Sequence, residues 1–376
     1  MENLVKDYAI KNYQETLQII RDLCAIPAPS YSEDKRAEFC KNWLEQNGAK
    51  GVYIDKAKNV VFPINCENSN ELTVFVAHTD TVFPDTTPMP FVEDDDKMYC
   101  PGVSDDTASV AVLLMGARYL IQNNIKPKNG VLIVLNSCEE GLGNLMGTRQ
   151  IFSDYQGRIA KFIAFDGSMD AIYTRCVGSI RYEVEVLTKG GHSYWAFGTE
   201  NAIERLSYIV SEIYKMQVPL VGDSKSTYNV GTIIGGTSVN TVAQNAKMLC
   251  ECRSTHKPCL EIMTAKFNEI FDSVRSENVQ VKVKEVGNRP CEDIEYNKVL
   301  ALAKIAEPII KNAIGKEVKI SSGSTDCNIP LSLGIPAICV GVSIHGGVHT
   351  REEWLDKKSV LNGLQAGVEL LLAFTK

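Results

Sequence analysis

Several features that mark other protein classes are missing from this chain of 376 residues. No run approaches the ~18 consecutive apolar residues of a membrane-spanning helix, so we expect no transmembrane segment and no membrane partner. The net charge is −7, which argues against a general nucleic-acid-binding surface. The start of the chain lacks a basic segment followed by an apolar one, so we expect no signal peptide. The remaining composition, 44% hydrophobic and 23% charged, is ordinary for a soluble globular protein.

The chain has twelve cysteines, but no two follow the C-x-x-C spacing that is typical of structural zinc sites. Several lie within apolar runs, such as Cys339 in AICVG and Cys250 in KMLCEC. A secreted chain would pair its cysteines, whereas a cytosolic chain buries them as reduced thiols. We therefore expect reduced thiols and a cytoplasmic protein.

The pattern of apolar residues predicts two domains, one inserted into the other. Strand-like runs alternate with amphipathic helices in residues 1–178 and again in residues 289–376, which predicts an α/β domain with a mostly parallel sheet between helices. Residues 179–288 follow the order strand, helix, strand, strand, helix, strand, which is typical of a ferredoxin-like α+β domain. The first domain is therefore expected to be discontinuous.

Residue types that bind metal ions follow several strand-like runs. His78 follows ELTVFVA, Glu139 and Glu140 follow GVLIVLNSC, Asp166 follows KFIAF, and His349 follows PAICVGVSIHGGV. In open α/β sheets ligands bind outside the carboxyl ends of the strands, so we expect these side chains to converge. Only five histidines occur in the chain, and two belong to this set.

Each of these elements also has a structural interpretation. The pair Asp105-Asp106 in CPGVSDDTAS could cap the helix that follows it, although a carboxylate there could instead bridge two cations ~3.5–4 Å apart. Asp166 in AFDGS could be a turn residue before glycine, and a lone loop histidine such as His349 is often structural. The joint occurrence of these residues after successive strands favours a two-metal site.

The adjacent acids Glu139 and Glu140 could have two different roles. At a strand end they point in different directions, so one can bind a metal while the other takes a proton from water and returns it to a leaving amine. Asp80 lies two residues after His78, on the same side of the strand, and could fix the tautomer of the imidazole. Charged or solvated strand ends are the alternative for both pairs.

Together, nine motifs of this chain resemble the two-zinc family of tripeptide aminopeptidase (peptidase T), carboxypeptidase G, aminoacylase and acetylornithine deacetylase. The motifs are AHTDTV, GVSDDTAS, SCEEGLG, FDG, GGHS, GGTSVNTVA, ECRS, STDCNIP and GGVHTREEW. The resemblance spans nearly the whole chain. It implies a zinc-exopeptidase-like α/β domain and an inserted domain that serves as a lid or a dimerisation domain.

The resemblance also implies a set of metal ligands. His78 and Asp166 would bind one metal, Glu140 and His349 would bind the other, and Asp105 would bridge them. The two divalent ions would be zinc, although cobalt or manganese also fits nitrogen and oxygen ligands.

Supporting roles follow from the same resemblance. Glu139 would be the general base, Asp80 would be the partner of His78, and the peptide bond between Asp105 and Asp106 would be cis.

Substrate-binding residues are expected mainly in the inserted domain. The resemblance implies that His192 donates to an oxyanion, often in a neighbouring active site across a dimer, and that Asn240 and Arg253 hold carbonyl or carboxylate groups. His192 could instead be a hydrogen-bonded loop histidine, and Arg253 could form a structural ion pair. In the α/β domain, Gly323 and Ser324 resemble a backbone segment that contacts substrate.

The predicted activity is that of a zinc-dependent metallopeptidase or amidohydrolase. The leading hypothesis is an aminopeptidase that acts on tripeptides, and the alternative is an N-acyl amino acid deacylase or a carboxypeptidase with the same chemistry. A catalytically inactive peptide-binding relative is an alternative of another class. The sequences SDDTA and GGHSYW depart from the commonest family motifs, which leaves the substrate open. A homodimer through the inserted domain is also expected.

Overall fold

The computed structural model describes residues 2–67 and 69–375, and the chain divides into two compact units. Unit 1 comprises Met1–Cys176 and Asp293–Lys376, and unit 2 comprises Val177–Glu292. Each unit has its own cluster of buried apolar side chains. The sequence predicts the inserted domain at residues 179–288, and unit 2 begins and ends close to these bounds. Both segments of unit 1 contribute to one core, which therefore needs both to be complete.

The first segment of unit 1 alternates helices with strands. Its helices are α1 (Glu2–Cys24), α2 (Asp34–Gln46), α3 (Ala108–Gln122) and α4 (Met146–Asp154). Its strands are β1 (Tyr53–Ile54), β2 (Val60–Ile64), β3 (Leu72–His78), β4 (Val92–Glu93), β5 (Lys97–Tyr99), β6 (Gly130–Asn136), β7 (Ile159–Phe165) and β8 (Ala171–Cys176). Every residue of β3 and β6 is buried, as expected of central strands that are covered on both faces.

Unit 2 has the predicted ferredoxin-like order. Its elements are β9 (Gly178–Thr188), β10 (Gly191–His192), α5 (Ala202–Lys215), β11 (Ser226–Gly235), β12 (Thr241–Val242), β13 (Asn245–Ser254), α6 (Lys257–Asp272) and β14 (Val279–Arg289). The four long strands form an antiparallel sheet in the order β11-β13-β9-β14. Buried and less buried residues alternate along β13, because one face of the sheet packs on α5 and α6.

The second segment of unit 1 completes the α/β architecture. Its elements are α7 (Tyr296–Ile314), β15 (Lys319–Gly323), α8 (Asn328–Ser332), β16 (Ala337–Val340), β17 (His345–Gly346), β18 (Trp354–Asp356) and α9 (Lys357–Thr375). The large sheet has the order β1-β2-β6-β3-β7-β16-β8-β15. Its central run β6-β3-β7-β16 is parallel throughout, so the predicted fold class is confirmed.

The register of the parallel strands places their carboxyl ends at one edge. His78 at the end of β3 pairs with Asn136 at the end of β6, and Val340 at the end of β16 pairs with Phe165 at the end of β7. A second, antiparallel sheet in the order β17-β18-β5-β4 joins the segment that follows β16 to the segment that precedes α3. This small sheet was not predicted from the sequence.

The structure bears on the expected absence of a transmembrane helix and on the expected state of the cysteines. Within residues 2–67 and 69–375, no helix combines the length and the apolar character needed to cross a bilayer. All twelve cysteines are buried as thiols.

Candidate dinuclear metal centre

The predicted ligands in unit 1 lie at the carboxyl edge of the large sheet. His78 ends β3, and Asp166 directly follows β7. Glu140 lies in the turn after β6, and His349 lies in the loop between β17 and β18. Asp105 lies in an irregular turn, Val103–Thr107, that runs into α3. The strand ends thus bring together residues that are far apart in the sequence.

Asp105 is the centre of this arrangement. Its Oδ1 lies 2.9 Å from Nε2 of His78, and its Oδ2 lies 3.1 Å from Nε2 of His349. The same His349 nitrogen lies 3.2 Å from Oε1 of Glu140. Two groups of possible ligands therefore overlap at Asp105: His78, Asp105 and Asp166 in one, and Asp105, Glu140 and His349 in the other.

The charges of these groups are strongly coupled. Burial and the nearby charge of Asp105 raise the pKa of Glu140 to about 7, and they raise the pKa of Asp166 well above its usual range. The carboxylates of Asp105 and Glu140 raise the pKa of His349 to about 10. Burial lowers the pKa of His78, but the carboxylates around it, Asp105 first, outweigh burial and raise it. The site therefore concentrates negative charge that only protons or other cations can balance.

Two divalent cations fit this donor set. Each group offers one imidazole nitrogen and two carboxylate oxygens, which are the ligand types that zinc takes at ~2.0–2.2 Å. The ligand atoms within each group all lie within 4.8 Å of one another, which is close enough to surround one ion. A carboxylate shared by both groups is the usual way to hold two ions side by side.

The loop that carries the adjacent acids is held by Asp80. Its Oδ1 accepts the backbone N–H of Glu139 and its Oδ2 accepts that of Glu140, both at 3.0 Å. The Ser30 hydroxyl also donates to Oδ2, at 2.6 Å. Burial raises the pKa of Asp80, but hydrogen bonds from His78 and these donors outweigh burial and lower it. Asp80 is therefore an anionic anchor for the loop.

Asp106 supports His78 from the other side. Its Oδ2 accepts the backbone N–H of His78 at 3.0 Å. The peptide bond between Asp105 and Asp106 is cis, as the resemblance implied. The two adjacent aspartates thus have different partners: Asp105 faces the imidazoles and Asp106 faces the main chain of β3.

Two buried acids near the centre were missed in the sequence. Glu353 accepts four hydrogen bonds from the segment that carries Asp105. Asp326 accepts from Nδ2 of Asn136 at 2.7 Å and from the hydroxyl of Thr148, and so ties the end of β6 to α4. Burial and the charge of Glu139 raise the pKa of Asp326 to about 6. Their only sequence signal is that they lie in GGVHTREEW and STDCNIP, motifs in which the resemblance assigns roles to other residues.

Gly323 and Ser324 lie at the junction between β15 and α8, and the ring of Tyr173 contacts both Gly323 and Gly167, which directly follows Asp166. Gly323 ends β15, the edge strand of the large sheet, and pairs with Cys176 of β8. A Cβ at Gly323 would lie 2.9 Å from the ring of Tyr173, so a side chain there would need that ring to shift. Strands β8 and β16 separate β15 from β7 in the sheet order.

The other three predicted substrate-binding residues belong to unit 2. His192 in β10 is exposed, and its Nδ1 accepts the backbone N–H of Tyr194 at 3.3 Å. Asn240 lies across from it, because the N–H of Ser193 donates to the Asn240 carbonyl at 2.9 Å. Arg253 donates twice to Glu251, at 2.7 and 3.0 Å. The structural ion pair, which is the alternative to a substrate-binding role, is therefore present.

Known proteins resemble this chain along nearly its whole length. It is 23% identical over 366 residues to a putative succinyl-diaminopimelate desuccinylase of Mycobacterium tuberculosis, covering 95% of this chain and 97% of that protein. A tripeptidase from Staphylococcus aureus has the same fold, with a TM-score of 0.76, 23% identity, and coverage of 96% of this chain and 99% of that chain. A dinuclear metal binding peptidase of the M20 family from Bacillus subtilis gives a TM-score of 0.67 at 15% identity, covering 97% of this chain and 99% of that chain.

A family model covers most of the chain. Residues 74–374 match the model of peptidase family M20/M25/M40, and this range includes all five proposed ligands and Glu139. The chain therefore belongs to peptidase family M20/M25/M40 and is a metal-dependent hydrolase.

Proposed function

We propose that the protein uses two zinc ions to hydrolyse an amide bond of short peptides, as an aminopeptidase that acts on tripeptides. The observation that carries the metal part of the proposal is the double contact of Asp105 with His78 and His349, because one carboxylate could then serve both ions. The likeness to a tripeptidase from Staphylococcus aureus supports the choice of substrate. In this proposal His78, Asp105 and Asp166 hold one ion, and Asp105, Glu140 and His349 hold the other.

The two ions, when bound, supply an acidified water and polarise the amide carbonyl. Glu139 is buried beside the ligand Glu140, and Asp80 fixes the main chain of both. Glu139 takes a proton from the attacking water and passes it to the nitrogen of the departing amine as the C–N bond breaks. The products are an amine and a carboxylic acid, and no ligand is altered.

Substrate contacts are proposed for residues of both units. His192 would donate to the developing oxyanion, and Asn240 and Arg253 would hold a carbonyl or carboxylate group of the substrate. The backbone at Gly323 and Ser324 would line the site in unit 1. The side chain of Arg253 is 34% exposed even though it donates twice to Glu251, and its planar fork suits a substrate carboxylate.

A second candidate is hydrolysis of an N-acyl amino acid by the same residues. The curated relatives favour it, because proteins named succinyl-diaminopimelate desuccinylase match 95% and 90% of this chain at 23% and 24% identity. The tripeptidase from Staphylococcus aureus favours the first candidate at similar identity. The inactive-relative hypothesis has no such support, because every ligand position and the position of the base are filled.

A substrate panel tests the proposal directly. Free tripeptides, dipeptides, N-acetyl amino acids and N-succinyl amino acids would each be incubated with the protein and added zinc or cobalt. We expect release of the amino-terminal residue from tripeptides. The Asp105→Asn variant, purified in the same way, measures any contaminating peptidase and should be inactive. Activity confined to the acylated compounds would overturn the aminopeptidase proposal in favour of the second candidate.

We also propose that two copies of the chain pair through unit 2. Strand β11 lies at one edge of its sheet, and Ile233 and Ile234 on it are 53% and 69% exposed. An edge strand offers free main-chain groups for a second strand. Light scattering should show a dimer, and Ile234→Asp should dissociate it. Ile10→Asp, at an exposed isoleucine of α1 in unit 1, should not.

A trans role for His192 would follow from such a dimer. Mixing His192→Ala with Asp105→Ala protein should restore activity that neither variant has alone, if His192 serves the partner's site. Activity that stays absent after subunit exchange would indicate that His192 serves its own chain.

We also propose a cytoplasmic location, which the buried thiols support.

A further inference from the structure

Glu353 is the last residue of the loop that carries His349, directly before strand β18. Pairing of β18 with β5 sets it against the end of β5, where the N–H of Cys100 donates to the Glu353 carbonyl at 3.2 Å. The side chain is almost fully buried, with 1% of its surface exposed. A buried carboxylate needs hydrogen-bond donors for both oxygens.

The segment before α3 supplies those donors. Oε2 of Glu353 accepts the N–H of Gly102 at 2.7 Å. Oε1 accepts the N–H of Ser104 at 2.9 Å, its hydroxyl at 2.7 Å, and the N–H of Asp105 at 3.0 Å. Gly102 has a φ of 77°, and a Cβ on it would lie 2.5 Å from Cγ2 of Thr81, so the turn requires glycine. The main chain is therefore wrapped around this one carboxylate.

The wrapped segment is fixed at both ends. Glu353 holds it on one side through the N–H of Asp105, and Asp106 holds it on the other by accepting the N–H of His78. Between these two anchors the Asp105 carboxylate directs Oδ1 to His78 and Oδ2 to His349. The position of Asp105 thus depends on a residue that lies four places after His349 in the same loop.

We propose that Glu353 is a positioning residue that sets Asp105 so that its carboxylate can serve both metal positions at once. The inference rests on the proposed function, since it takes Asp105 as the shared ligand. A shifted Asp105 can still follow one ion by rotating its side chain, but it cannot keep both oxygens aimed at two ions. Loss of Glu353 should therefore weaken binding of the second ion more than binding of the first.

Glutamine is an informative replacement at position 353. It has the shape of glutamate, but its amide nitrogen is a donor and must face either the Gly102 N–H or the three donors at Oε1. Because all four hydrogen bonds to the Glu353 side chain come from donors, no orientation of glutamine satisfies every one of them. The segment must then move or leave donors unpaired.

The test is titration of zinc chloride into full-length protein that was stripped with a chelator, followed by calorimetry. Wild type should bind two ions. Glu353→Gln should bind the second ion about 10–100-fold more weakly, the range typical for changes to residues that orient ligands. Excess zinc should restore most of its turnover, because the defect lies in occupancy. Glu15→Gln removes the negative charge that pairs with the buried guanidinium of Arg118, far from this loop in the sequence, and controls for lost stability alone. It should bind both ions like wild type.

The outcomes separate the two proposals. Wild type that binds fewer than two ions would overturn the proposed metal pair and this inference with it. Wild type with two ions and Glu353→Gln with the same two affinities would overturn only the role of Glu353. If Glu353→Gln does not fold, Ser104→Ala removes one donor from Oε1, and about three- to tenfold weaker binding of the second ion is expected. Unchanged affinity in Ser104→Ala would then count against the inference.

Discussion

The carboxylate of Asp80 accepts the backbone N–H of Glu139 at 3.0 Å. It therefore holds the loop of the proposed base as well as facing the imidazole of His78, whose Nδ1 lies 3.4 Å from Oδ1. Nδ1 lies closer, at 3.1 Å, to the main-chain oxygen of Asp80 itself. The resemblance to the two-zinc family implies only the contact between Asp80 and the imidazole of His78. The structure adds the role of loop anchor.

Replacing Asp80 with asparagine should therefore damage catalysis through the loop. The amide nitrogen would face the N–H of either Glu139 or Glu140, which leaves one buried donor unpaired at a cost of about 1–3 kcal/mol. We expect kcat to fall about 10–100-fold while KM changes little. Steady-state kinetics with the cleaved substrate measures both constants.

Ser30→Ala is the matched control for this variant. It removes one hydroxyl donor from the same carboxylate but leaves both amide contacts intact. Its kcat should fall less than about tenfold. Equal effects in Ser30→Ala and Asp80→Asn would mean that the amide contacts have no special role.

Zinc binding should release protons at neutral pH. Asp105 and Glu140 raise the pKa of His349 to about 10, so the chelator-treated protein carries its proton at pH 7.5. Binding requires the neutral imidazole, so zinc affinity should rise with pH up to about 10. Calorimetry in buffers of different ionisation enthalpy counts the protons. His349→Gln should release about one fewer than wild type, whereas His256→Gln in unit 2 should match wild type. No difference between His349→Gln and wild type would contradict this assignment.

The same shift has a consequence for stability. Because the pKa of His349 is raised in the folded state, its contacts stabilise the chelator-treated protein fully below about pH 6.5. That contribution is lost as the pH rises through about 10.

Asp326 should make the fold less stable as the pH rises from about 4 to about 6. Burial and the charge of Glu139 raise its pKa to about 6, so in this window the folded protein keeps a proton that the unfolded chain has lost. Asp326→Asn removes the buried charge, and the Thr148 hydroxyl can turn to accept from the new amide. The variant should be more stable than wild type at pH 7.5 by roughly 1–3 kcal/mol.

Urea unfolding with chelator present, at pH 4.5 and pH 7.5, measures this difference. Asp7→Asn, at an exposed position of α1, is the control and should leave the pH dependence unchanged. A variant Asp326→Asn with the same pH dependence as wild type would show that the carboxyl titrates normally in the folded protein.

The strand-end residues could be predicted because the sequence pattern is strong there. Fully apolar runs such as those before His78 and Glu139 identify buried parallel strands, and the carboxyl ends of such strands share one edge. The order of strand-like and helix-like runs predicted the fold class and the ferredoxin-like order of unit 2.

The anchoring residues could not be predicted in this way. Glu353 and Ser104 are 249 positions apart, and Asn136 and Asp326 are 190 positions apart, so no local pattern links them. The small sheet of β17, β18, β5 and β4 has strands of two or three residues, too short to show a period. These contacts depend on tertiary structure. They become visible only when the chain is folded.

The central claim is that two metals and Glu139 together hydrolyse the substrate. The most direct measurement is turnover by Glu139→Gln alongside its zinc content, with Glu140→Gln as the adjacent control. We predict that Glu139→Gln keeps two zinc ions per chain but loses about 10²–10⁴-fold in kcat, the range for removing a general base. Glu140→Gln should instead lose metal. Full turnover by Glu139→Gln with both ions bound would contradict the account.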